Sequence, residues 1–322
     1  MRLLRLFAAR PVRVAFHVLG LLAALGVGVL VTRHFAEHGW PFADAEPLGV
    51  LAEGGLFLGA FAFKAWGWQR LFHPETRPTV LALATAGGAA SMTGIALPGR
   101  CDSLVRIAVV RRYPGQRCGL SGVVFSLFVL GLIDNAALVP FAGVAAVVAA
   151  PSALVRAALL VVAGGGVLAA LFVLTLPRLA GVRRVVRFRV GRWVTAHAAP
   201  RRDVVRAWCL VAASWTLRGA AIAVLLDALA IGFSIPLALL FLCASAAATA
   251  LPISPQGAAA QAGAGAAVLV VAGLGGSEAM AFAIAVQALF VLAGTAMVAL
   301  ALVVHLSARV PLPRRVTPAL AG

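Results

Sequence analysis

Apolar residues dominate this chain in long unbroken runs, not in the alternation of strands or the one-sided stripe of a surface helix. Val14–Val31, Leu48–Trp66, Ala207–Ile231 and Ala279–Val304 are each apolar enough to cross a bilayer as a helix, which takes about 20 such residues. Leu120–Leu176 is long enough for two spans, turning near Pro140–Pro151. The ten-residue or so alternation of a membrane barrel is absent. Two further apolar segments are interrupted by proline corners. The first is Thr93-Gly94-Ile95-Ala96-Leu97-Pro98-Gly99-Arg100, and the second is Thr249-Ala250-Leu251-Pro252-Ile253-Ser254-Pro255-Gln256-Gly257. Paired Gly/Pro breaks, one in each half of a membrane protein, are the usual sequence mark of a transport site. The pattern predicts an all-α, polytopic helical membrane protein of about eight membrane segments, with residues 1–322 as a single transmembrane domain.

Composition supports this reading: 62% of residues are hydrophobic and only 11% are charged. Ordinary soluble domains are about 25% charged. The net charge of +17 does not indicate nucleic acid, because the arginines fall in loops between spans and not on one polar face. Such loops are retained on the cytoplasmic side during insertion, so charge becomes a topology signal. The connection holding Glu37, Asp44 and Glu46 is expected outside. Span two then carries Glu53 near its outer end and Lys64, the only lysine, near its inner end. There Lys64 is expected to snorkel to the interface beside Trp66 and Trp68. Both flanks of Val80–Leu97 are basic: Arg70 and Arg77 precede it, and Arg100, Arg106, Arg111, Arg112 and Arg117 follow. A re-entrant segment opening to the cytoplasm satisfies this arrangement, provided protein or a water-filled cavity covers the break. The basic loop of about residues 178–206 is either an amphipathic helix on anionic lipid or a plain topology-setting loop. Ile235–Val271 is either two full spans or a second hairpin opening outward, and opposed openings point to an inverted repeat. The basic first residues and long Val14–Val31 run predict an uncleaved first span. Both termini are expected in the cytoplasm and the protein in the plasma (inner) membrane.

Ionisable groups at membrane depth are costly and are functional candidates by default. Arg218 stands mid-span and needs an anion, a cavity or a carboxylate. Asp134 is the obvious intramembrane partner, so a structural Arg218–Asp134 pair and an anion-binding arginine are both open. Arg100 and Arg106 follow the first corner, where a guanidinium fork suits phosphate and positive-inside anchoring is the plainer role. At the second corner Pro252, Ser254, Pro255 and Gly257 either turn the chain or begin a helix whose N–H groups face an anion. His34-Phe35-Ala36-Glu37-His38 fits an H-x-x-E-H zinc pattern but has no evident third ligand. The cysteines lack paired spacing. No catalytic motif is legible, so neither a metal nor a cofactor is expected.

The stretch Leu97-Pro98-Gly99-Arg100-Cys101-Asp102-Ser103-Leu104-Val105-Arg106, the aspartate of Ser126–Ala137, the Trp215/Arg218 span and the Pro252–Gly257 corner together resemble a known family. They are similar to the transmembrane region of lysylphosphatidylglycerol synthases, a flippase-like family. Pro98, Arg100 and Arg106 match its first motif, with Asp102-Ser103 where Gly-Glu is usual. Pro252, Ser254, Pro255 and Gly257 match its second, with Gln256 replacing a glycine. The resemblance implies translocation of a lipid, with Arg100, Arg106 and Arg218 as headgroup ligands. The chain stops shortly after its last span, so the synthetase domain of bifunctional relatives and its enzymatic activity are not expected. Expected partners are membrane lipids, anionic ones first, and an enzyme of envelope synthesis. The alternatives are an ion-coupled small-solute transporter and a non-transporting scaffold for envelope lipid or glycan synthesis.

Overall fold

The computed structural model describes residue 42 and residues 45–96, 101–113, 118–180, 188–250 and 257–309. Val14–Val31, the His34–His38 motif and both proline corners from 97 to 100 and 251 to 256 lie outside the described residues. Among those described, every regular element is helical. In chain order the helices are α1 (Pro47–Gln69), α2 (Val80–Ala96), α3 (Cys101–Arg112), α4 (Leu120–Val144), α5 (Ala153–Ala180), α6 (Arg189–His197), α7 (Arg201–Ala228), α8 (Ile235–Ala250), α9 (Gly257–Val271) and α10 (Gly276–Arg309). This is an all-α integral membrane protein. Five of its helices, α1, α4, α5, α7 and α10, are long and apolar enough to cross a membrane.

The broken segments are helical hairpins whose limbs are short. α2 and α3 have 17 and 12 residues, and α8 and α9 have 16 and 15. At 1.5 Å per residue no limb reaches the roughly 30 Å of a hydrocarbon core by itself. Within each pair the limbs pack on one another. The order span, hairpin, span therefore occurs twice: α1, α2/α3, α4 and again α7, α8/α9, α10. The two leading spans run antiparallel. Gly49 approaches Ala228, Ser214 Oγ donates to the Ala60 carbonyl at 2.8 Å, and Gly67 lies against Ala207 and Val211. The opposed direction of equivalent helices is what an inverted repeat requires. Each hairpin also crosses to the other half: α2 packs on α10, and α8 on the end of α4.

The sequence explains the ends and crossings. Pro47 opens the first turn of α1, where its missing N–H costs nothing. α4 does not stop at Pro140 but continues into a wider turn over Ala145–Ala149, so the bend to α5 falls at residues 150–152. α7 begins at Arg201, so Arg201, Arg202 and Arg206 belong to a helix and not to the preceding basic loop. The α2–α10 crossing brings glycine to glycine: a Cβ on Gly88 would run into the Gly294 carbonyl. Small residues permit such backbone approach in membrane helices. Residues 181–187 of the basic loop lie outside the described residues. Its described remainder, α6, turns Trp193 and His197 onto Phe125 of α4, and Ser121 Oγ lies 3.1 Å from His197 Nε2. The aromatic side of α6 thus rests on protein.

Candidate functional site

The buried side of α1 runs through Glu53, Phe57, Phe61, Ala65 and Trp68, a spacing of four, four, four and three that keeps one helical face. Lys64 lies beside this stripe and is only 17% exposed at its side chain. Its ammonium is 2.7 Å from Asp134 Oδ2 on α4. The other oxygen, Asp134 Oδ1, accepts the indole N–H of Trp215 on α7 at 3.2 Å. Both oxygens of this carboxylate are therefore committed.

Arg218 follows Trp215 by three residues and so shares its face. Its guanidinium carbon sits 4.9 Å from the Trp215 ring centroid and 4.7 Å from that of Phe290 on α10. Two aromatic faces stabilise the cation by about 0.5–2 kcal/mol each. They leave its hydrogen-bonding fork unused, and Nε is buried without a partner among the described residues. On α3, Arg106 Nη2 is 3.6 Å from Asp102 Oδ2, one turn away, while its Nε is also buried and unpartnered. The Asp134 charge acts on both Lys64 and Arg218, and the Arg106 charge reaches both more weakly. Three cations thus meet two carboxylates, and one positive charge remains uncompensated inside the bundle.

The structure alters the sequence expectations at several points. Arg218, Arg106 and Asp134 do come together. The expected Arg218–Asp134 pair is not formed; Asp134 is taken by Lys64 and Trp215, and Arg218 lies on aromatic rings instead. Lys64 does not reach an interface, because α4 places a carboxylate beside it. Glu53 lies near the start of α1, and it is fully buried there. Arg100, Pro98, Pro252, Ser254 and Pro255 lie outside the described residues, and Gly257 is the first residue of α9. Sequence reasoning read Lys64 as an interfacial lysine and not as a site residue, and it passed over Phe290. A lone lysine at membrane depth was the available signal for the first, while Phe290 had none in so apolar a helix. No cluster of His, Cys, Asp or Glu among the described residues has the make-up of a metal site. No protein-family model matches the chain, nor does a curated protein or a solved structure.

Proposed function

We propose that this integral membrane protein is a flippase-like translocase of a phospholipid or another lipid-linked anionic substrate in the plasma membrane, with both termini cytoplasmic. One observation carries the reading: Arg218, held between Trp215 and Phe290 with no carboxylate on it, leaves its fork free beside Arg106 and Lys64. Unpaired cations at membrane depth are expensive unless an anion or a cavity meets them. A phosphate-bearing headgroup is the planar-fork ligand that arginine suits best. Acyl chains would stay in the bilayer while the headgroup crosses along the two hairpins. The resemblance to the transmembrane region of lysylphosphatidylglycerol synthases supports the same substrate class through Arg106 and Arg218.

The test is transfer of fluorescent phosphatidylglycerol across proteoliposome membranes. Wild-type protein should accelerate it, Arg218→Ala should abolish the acceleration, and Arg218→Lys should retain part of it. Equal transfer by wild type and Arg218→Ala would sink the assignment.

A further inference from the structure

Glu53 is the one acidic or basic residue in the fully buried core of the described residues, and the cation site does not use it. It lies on α1 with no exposed surface, and neither carboxyl oxygen has a hydrogen-bond partner among the described residues. An ionised carboxylate in that state would have lost its hydration with nothing in return. Among the described residues no counter-charge pairs with it. Of the helices packed against α1, α2 has no ionisable residue. α7 contributes Arg218 and, at its near end, exposed Asp227; α10 contributes Glu278, in its first turn, and at its far end His305 and Arg309; α4 contributes Asp134. On α1 itself there is Lys64, and Glu46 precedes the helix. None of these forms an ion pair or a hydrogen bond with Glu53.

The position of Glu53 relative to the cation site gives this isolation a use. Eleven residues separate Glu53 from Lys64, which on an α-helix is three turns and about 16 Å along nearly the same face. Between them an aromatic relay joins the two. Phe57, one turn from Glu53, meets Phe290 edge-on at 5.5 Å, and Phe61 stacks on Phe290 at 4.8 Å. Phe290 in turn carries the Arg218 guanidinium. A shift of α1 against α10 that admits water to Glu53 would move the ring on which Arg218 rests.

We infer that Glu53 is a proton-binding site, occupied in the conformation described, whose loss and uptake of H⁺ accompany the movement that carries substrate past Arg218. On the translocase reading, this makes transport responsive to a proton gradient. The step is a proton equilibrium alone: the carboxyl O–H breaks to water when the site opens and re-forms when it closes.

Two measurements test this. Infrared spectra of the intact protein in nanodiscs at neutral pH should show a protonated-carboxyl stretch that Glu53→Gln removes. Identical spectra for wild type and Glu53→Gln would overturn the proton site. In proteoliposomes with fluorescent phosphatidylglycerol, an imposed pH gradient should change the wild-type rate several-fold. Glu53→Gln, which keeps the shape of the neutral acid, should still transfer lipid but lose that response. A gradient response equal in both proteins, or absent from wild type, would overturn the coupling. Wild-type vesicles that move no lipid would instead overturn the translocase reading and the coupling with it, leaving the infrared band to decide the proton site.

Discussion

Trp215 donates its indole N–H to Asp134 across 81 residues of sequence at 3.2 Å, and Lys64 occupies the other oxygen of the same carboxylate. One side chain thereby joins α1, α4 and α7. It also shapes the site: Asp134 gives its direct contacts to Lys64 and Trp215, and Arg218 feels its charge without a hydrogen bond to it.

Removing this junction should be costly. Asp134→Asn keeps the shape but leaves Lys64, Arg106 and Arg218 facing one another. Breaking one partner of a buried pair costs roughly 3–5 kcal/mol, and the loss should appear as a lower thermal midpoint in detergent. Lys64→Met placed on top of Asp134→Asn should recover part of it. Strictly additive losses in this double-mutant cycle would show that the two groups are not coupled.

The glycine crossing of α2 and α10 admits a second prediction. Gly88→Val inserts a branched side chain where the Gly294 carbonyl already sits, and overpacking of this kind costs about 1–3 kcal/mol. Gly55→Ala, on a side of α1 with no atom in reach, is the control and should not lower the midpoint, since alanine favours a helix over glycine. Equal stability of Gly88→Val and wild type would show that the crossing tolerates separation.

A third prediction concerns the seam between α1 and α4 one turn beyond Lys64. The Trp68 indole N–H donates to Ser126 Oγ at 2.9 Å, and both residues are buried. Ser126→Ala strands that N–H, a desolvation cost of about 1–3 kcal/mol. Trp68→Phe combined with Ser126→Ala removes donor and acceptor together, so the second change should cost less than Trp68→Phe does alone. Thermal unfolding of the single and double variants measures the difference.

Hydropathy made the long helices legible because a bilayer span needs length and apolarity, both of which are local properties. The break at Pro98, with basic residues on both flanks, pointed to a re-entrant hairpin, while the break at Pro252 left two full spans and a hairpin both open; proline alone does not decide, since α4 runs on through Pro140. Side-chain partners were less legible because they depend on helix rotation and on neighbours far away in sequence. Arg218 and Asp134 were read as intramembrane from their places in apolar runs, yet such a place could not show that Lys64 contacts Asp134. Glu53 looked like a helix-end acid because it lies only six residues into α1. Its burial is tertiary: one turn to either side of it, Gly49 approaches Ala228 of α7 and Phe57 meets Phe290 of α10. Neither is visible in a local window.

The bond from Ser214 to the Ala60 carbonyl sits near the midpoint of both α1 and α7. Close approach of Gly49 to Ala228 at one end and of Gly67 to Ala207 and Val211 at the other leaves no slack on either side of that bond. Two rods touching at both ends and bonded at the centre should travel as one beam, so that movement in the bundle would fall to the helices packed around them.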